Sequence, residues 1–182
     1  RNAGHGFFYR MEVSVPDRVV FVPGQFAMVS GWPGNDPLLP RPLAIFRSGG
    51  DRKGGTVEFV YKVVGRGTAL LSGLHEGDSL SITLPLGNGF RLDAPDRVWW
   101  LAGGGVGFSS VFPAAAALSE GRADFEIFLG ARSRDQLPPR GRHRPLCRGI
   151  HPRDRFGAAG PGVSPHPAGA APRRAHASRR AG

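Results

Sequence analysis

The chain is nearly devoid of cysteine: of its 182 residues only Cys147 is one. A lone thiol excludes an internal disulfide and any iron–sulfur cluster held by this chain's thiolates alone. Long apolar runs are missing too. None approaches the ~20 residues a helix needs to cross a bilayer, so no transmembrane helix is expected. The histidines are scattered, four of the six lying beyond residue 140, and no metal-ligand set is visible. The chain opens on Arg1 with no Met-initiated charged and apolar leader, which predicts a cytoplasmic protein, or a piece of one lacking its true start.

Acidic residues are scarce in one region only. Residues 1–137 carry 14 Lys and Arg against 13 Asp and Glu, whereas residues 138–182 carry 10 Arg against Asp154 alone. The formal net charge of +10 therefore belongs to the tail. That tail is crowded with Pro, Gly, Ala and His and has almost no aliphatic periodicity. Such a segment buries too little apolar area to offset its chain entropy, so residues 138–182 are predicted to be disordered. A nucleic-acid-binding arm would interleave aromatics with its basic residues, and Phe156 is the tail's only aromatic.

Regular patterning fills the rest. Phe7, Tyr9, Met11, Val13 and Val15 alternate with Phe8, Arg10, Glu12 and Ser14, the period of a half-buried strand that Pro16-Asp17 closes. Val19 to Val22 reads as a second strand, Pro23-Gly24 as a turn and Gln25 to Ser30 as a third strand. A Gly- and Pro-rich loop follows, and Leu38-Leu39-Pro40 leads into a strand that begins at Arg41. Ser48-Gly49-Gly50-Asp51 and Gly54-Gly55 bracket a hairpin. Val57, Phe59, Tyr61 and Val63 then alternate with Glu58, Val60 and Lys62, and Leu80, Ile82 and Leu84 with Ser79, Ser81 and Thr83. This turn-rich spacing predicts a six-stranded antiparallel β-barrel over residues 1–94. The pattern then changes to a continuous apolar strand over Arg97–Ala102, a glycine loop, a helix over Pro113–Ser119 and a second strand over Phe125–Leu129. Strand, glycine turn, helix, strand is the beginning of a parallel α/β domain, here an incomplete nucleotide-binding unit over residues 95–137.

Three stretches have the residues of a binding site. In Arg41-Pro42-Leu43-Ala44-Ile45, Pro42 fixes its own φ and pushes Arg41 into extended geometry. The Arg fork matches phosphate oxygens bidentately, and the residues after it offer backbone N–H and C=O groups to a flat ring; read alone, the five are an Arg at a strand start. Gly65-Arg66-Gly67-Thr68 precedes Ala69 to Ser72, with Thr68 placed to cap a short helix and Gly73 to end it. Glycines there let a phosphate approach exposed N–H groups, and an ordinary strand-to-helix turn has the same composition. Gly103-Gly104-Gly105-Val106-Gly107 stands after a strand and before a helix, where a dinucleotide pyrophosphate sits. It falls short of G-x-G-x-x-G, because Phe108 and Ser110 occupy the last glycine position of its two registers.

In this order, Pro23-Gly24-Gln25-Phe26, Arg41 to Ile45, Tyr61-Lys62, Gly65 to Thr68, Pro85-Leu86-Gly87-Asn88-Gly89-Phe90, Gly103 to Gly107 and Gly130-Ala131-Arg132-Ser133 resemble the ferredoxin-reductase superfamily. Within it they are most similar to the electron-transfer subunit of NAD-dependent dihydroorotate dehydrogenase, over about residues 6–137. The resemblance implies FAD in the barrel and NAD(H) on the α/β unit, with NAD as electron acceptor. It also implies a catalytic dihydroorotate dehydrogenase subunit as partner in a heterotetramer of pyrimidine biosynthesis. Residue by residue, it implies that Arg41 clasps the FAD diphosphate and that Pro42, Leu43 and Ala44 line the isoalloxazine. Val60, Tyr61 and Lys62 would contact the flavin and ribityl chain, Gly67 and Thr68 the diphosphate, and Gly103, Gly104, Gly105 and Gly107 the nucleotide. The redox work belongs to the flavin, so the chain reads as an oxidoreductase subunit rather than a stand-alone catalyst. A reductase-like subunit of hydrogenase or ferredoxin:NADP reductase type shares these motifs and is the nearest alternative. A non-functional fragment with a basic nucleic-acid-binding tail is the remote one.

The chain departs from the family at three places. Ala44 stands where the family usually has Ser, and Phe108-Ser109-Ser110 replaces the small residues and Pro that usually follow the glycine loop. After about Leu137 the resemblance ends, and the cysteines of the family's 2Fe–2S cluster are absent, so that cluster is not expected here. The tail's bias is what a GC-rich gene yields out of frame, which predicts a family-like, cysteine-rich continuation in another reading frame of the coding DNA. A lone strand–helix–strand unit also leaves a sheet edge and faces uncovered, so residues 95–137 are expected to pack poorly.

Overall fold

A computed structural model describes residues 8–32, 37–51, 54–94, 97–133 and 136, and the backbone of 2–5. The expectations for the tail and its reading frame lie outside these residues. The strands are β1 (Asn2–His5), β2 (Phe8–Val15), β3 (Phe26–Ser30), β4 (Arg41–Asp51), β5 (Gly54–Tyr61), β6 (Ser81–Leu86), β7 (Trp99–Gly104) and β8 (Phe125–Gly130). The helices are α1 (Arg66–Ser72) and α2 (Phe108–Glu120).

The first six strands form one antiparallel sheet in the order β1-β2-β5-β4-β3-β6, and β7 and β8 pair in parallel. The period of two carries the packing: Met11, Leu43, Ile45, Val57, Phe59 and Tyr61 project from one face into a core shared with Ala27, Val29 and Leu71. The sheet curls around this core, yet no ladder joins its end strands among the described residues, so it is not a closed barrel. The side of β2 from Met11 to Pro16 instead faces Leu74 to Leu80 and Ile82 across a cleft of about 740 Å³. Leu74, Leu80 and Ile82 pack on the same core as Met11, so apolar contact rather than backbone pairing draws the two ends together.

The expected strand over Val19–Val22 is coil. The Val22 N–H donates to Gln25 Oε1 (2.8 Å) and the Val22 C=O accepts from the Gln25 N–H (3.0 Å), so both groups are spent on the turn and not on a ladder. That turn is pinned to the exit of β6. Gln25 Nε2 donates to the Gly87 C=O, the Phe90 N–H donates to the Pro23 C=O, and the Phe90 ring lies over Gly24, whose φ is +98°.

Helix α2 starts five residues before the expected boundary and carries Pro113 inside it. Phe108, Val111, Phe112, Ala115 and Leu118 recur at helical spacing and are all buried, and their packing outweighs the bond that Pro113 cannot donate. Strand β7 is not a continuously buried run. Its residues alternate, with Trp100 74% exposed, because α2 covers only one face of the β7–β8 pair. On that covered face Ile127 and Leu129 join Phe108, Val111, Phe112 and Ala115 in a second core, which also takes in Phe8, Phe46 and Val60 from the outer face of the six-stranded sheet. On the opposite face of the pair Trp100 is exposed and its ring stands edge-on to Phe128 at 6.0 Å.

Candidate functional site

Strand β4 changes partner along its length. Arg41 to Ala44 pair with Val29 to Phe26 of β3, whereas pairing with β5 begins only at Ile45, opposite Phe59. Continued in that register, Ala44, Leu43 and Pro42 would stand opposite Val60, Tyr61 and Lys62, so the β4–β5 ladder stops at the two groups of residues that the sequence assigns to a flat ring.

The side chains of these residues divide by the strand period. Leu43 and Tyr61 point into the sheet core, where Tyr61 stacks on Tyr9 at 5.7 Å, and Val60 points toward α2. The side chains of these three are thus committed to packing, whereas Pro42, Ala44 and Lys62 are exposed or half-buried.

At the open end of β4, Arg41 lies across the first turn of α1. A Cβ added to Gly67 would sit 2.8 Å from Arg41 Cδ and 3.0 Å from its Nε, so only glycine admits the guanidinium stem at that distance. Nε and Nη2 of Arg41 both donate to the Leu39 C=O, which holds the fork at the helix. The N-cap is Gly65 rather than Thr68, which occupies the third helical position. The Thr68 hydroxyl accepts from the Val64 N–H (3.0 Å) and the Gly65 N–H (3.2 Å) and donates to the Gly65 C=O (2.9 Å), which uses its full capacity. Thr68 shapes the loop, and an anion at this turn would meet backbone N–H groups and Arg41.

The glycine loop has two kinds of glycine. A Cβ on Gly103 would lie 3.0 Å from Val111 Cγ2 and 3.2 Å from the Phe108 nitrogen, so Gly103 lets α2 close on β7. Gly104, Gly105 and Gly107 face open space, Gly105 has φ +53°, and Gly107 is the N-cap of α2. Gly104 pairs with Gly130, so the loop and the residues after β8 meet at the carboxyl ends of the parallel strands, where α/β sheets bind ligands.

Two further features escaped the sequence reading. Glu58 is buried on the outer sheet face, where Arg10 Nη2 donates to its Oε2 (2.8 Å) and Nε lies 2.7 Å from Oε1, in ion-pair range but outside hydrogen-bond alignment. This hydrogen bond raises the Arg10 pKa above its ordinary value, against an opposing pull from desolvation. Phe8 and Phe46 flank Phe108, with ring centroids 5.0 and 6.4 Å away. The helical spacing of Phe108 and Phe112 was a readable signal for an apolar face; nothing local marked Leu39 or the Arg10–Glu58 pair.

No family model matches the chain. The structure is similar to that of an NADH-dependent reduced ferredoxin-NADP oxidoreductase studied for flavin-based electron bifurcation, with a TM-score of 0.68 and 25% identity over 88% of this chain and 56% of that one. The fold is thus ferredoxin-reductase-like. In sequence the chain is similar to the electron-transfer subunits of dihydroorotate dehydrogenase B (NAD(+)). It is 36% identical to that of Desulforamulus reducens over 130 residues, which is 71% of this chain and 49% of the relative. Identity to that of Geobacillus kaustophilus is 37% over 114 residues, 62% of this chain and 44% of the relative. The chain thus spans about half the length of these relatives.

Proposed function

We propose that this chain is the flavin-binding portion of an electron-transfer subunit of the dihydroorotate dehydrogenase B type, passing electrons between a catalytic dihydroorotate dehydrogenase subunit and NAD. The observation that carries it is the Arg41–Gly67 contact at the start of β4, beside the stretch Pro42 to Ala44 that lies beyond the β4–β5 ladder. The residues present fit FAD. Arg41 and the first turn of α1 would hold the diphosphate, and Pro42, Leu43, Ala44, Val60, Tyr61 and Lys62 would border the isoalloxazine, largely through backbone. When bound, FAD supplies the redox chemistry, and this chain's residues bind and orient it. The open glycines Gly104, Gly105 and Gly107 would receive the pyrophosphate of NAD(H), with Gly103 serving the packing beneath them. In this reading residues 1–94 act as the flavin unit and residues 95–137 as the nucleotide unit.

The test is electron flow. Flavin-loaded chain mixed with a catalytic dihydroorotate dehydrogenase subunit is expected to bleach on addition of dihydroorotate and to recover on addition of NAD. The likeness to a ferredoxin-NADP oxidoreductase favours a second reading, a reductase-like subunit of another complex. Bleaching by NADH or NADPH with re-oxidation by ferredoxin, and no response to dihydroorotate, would select that second reading.

A further inference from the structure

We propose that Phe108 is a positioning residue that sets the separation between the glycine loop and the flavin strand. Phe108 is the first residue of α2, directly after Gly107, and is 4% exposed. Its ring meets Phe8 of β2 edge-on at 5.0 Å and 89°, Phe46 of β4 at 6.4 Å and 85°, and Phe112 of its own helix at 5.4 Å. Phe46 lies on the same strand as Arg41 to Ala44, two residues beyond Ala44, at a register shift between Ile45 and Arg47. A strand rises about 3.4 Å per residue, so the ring contact joins the end of the glycine loop to a point roughly 7 Å along β4 from Ala44.

Edge-to-face aromatic packing in a buried cluster has few alternative arrangements, because rotating one ring opens a void against the others. The joint is therefore a spacer and not a hinge. Phe108 stands where the sequence departs from the small residues expected after such a loop, and its ring lands on an apolar outer patch of the sheet formed by Phe8, Phe46 and Val60.

The inference rests on the flavin and nucleotide reading above. With FAD and a dihydronicotinamide bound, the step it concerns would be transfer of a hydride, carrying two electrons, from the dihydronicotinamide to the flavin, with a solvent proton completing the balance. That step falls off steeply with misplacement, about a hundredfold for 1 Å.

The experiment uses the full chain in native form and as Phe108→Ala, Phe108→Leu and Leu118→Ala. Leu118 is equally buried in α2 but lies outside the cluster shared with Phe8 and Phe46, so its variant controls for loss of helix packing. Native-state amide exchange, without cofactor, is expected to quicken at residues 103–107 by more than about tenfold in Phe108→Ala. Phe108→Leu should give a smaller change and Leu118→Ala none at the loop. With FAD bound, Phe108→Ala should keep its flavin affinity within about threefold while the limiting rate of flavin reduction by NADH falls at least about tenfold, more than the NADH dissociation constant changes. Unchanged loop exchange in Phe108→Ala, or an equal effect in Leu118→Ala, overturns the proposal whether or not flavin binds. Failure of the native chain to bind flavin overturns the parent reading instead, and the exchange result still judges the joint. Should Phe108→Ala not fold, Phe108→Leu decides by the same comparison.

Discussion

Substitution of Gly67 by Ala separates stability from cofactor binding at one methyl group. The new Cβ would lie 2.8 Å from Arg41 Cδ. Carbon atoms in ordinary contact stand about 3.5–4.0 Å apart, so the Arg41 stem must retreat by roughly 1 Å. The atoms that move belong to a flexible side chain, so the fold itself is little strained. Glycine inside a helix is worse than alanine by about 0.5–1 kcal/mol, which offsets the displacement, and the predicted change in unfolding free energy is within about 1 kcal/mol of zero. Flavin binding responds differently. A hydrogen bond to a charged group is worth about 1.5–3 kcal/mol, so moving the fork off the diphosphate is predicted to weaken FAD by about ten- to a hundredfold. Flavin fluorescence titration and urea melts measure the two effects. Arg41→Ala should lose at least as much affinity, and the double variant should be no worse than Arg41→Ala alone, because both changes remove one contact. Gly67→Ala that binds FAD as tightly as the native chain, or a double variant with additive losses, would refute the geometry.

Three other perturbations follow from the same contacts. Arg10→Met leaves the buried Glu58 carboxylate without its fork; with the Arg10 side chain 41% exposed the pair is only partly desolvated, so urea melts should show a loss of roughly 1–3 kcal/mol, less than for a fully buried pair. Thr68→Val removes the acceptor for two N–H groups of the α1 entry, and a loss of about 1–2 kcal/mol is expected with faster amide exchange at Val64 and Gly65. Gly103→Ala drives a methyl into Val111 and the backbone at Phe108 and should cost about 1–3 kcal/mol, whereas Gly104→Ala enters open space, so thermal melts should rank the first well below the second.

Much of this fold was legible because its strands alternate cleanly. Val57, Phe59 and Tyr61 occupy the core face that their period predicts, and Arg41 begins the strand expected of it. What sequence could not supply was non-local. Phe8 shares a strand face with Arg10, Glu12 and Ser14 and reads as solvent-facing, yet it is 5% exposed because α2, a hundred residues on, lands there. Val19 to Val22 has strand propensity, and a single side-chain acceptor at Gln25 diverts its backbone. Pro113 misled the helix boundary: Pro is favoured in a first turn, but here five earlier residues already bury an apolar stripe. The candidate site residues stand out as motifs, while the inward turn of Leu43 and Tyr61 and the engagement of the Thr68 hydroxyl needed the structure.

The most direct test of the central claim is the visible absorption spectrum of the purified full chain after incubation with FAD and removal of the excess. A flavin spectrum at about one per chain, lost in Arg41→Ala and without an iron–sulfur shoulder, is the predicted result. A colourless native chain that takes up no FAD would contradict the account.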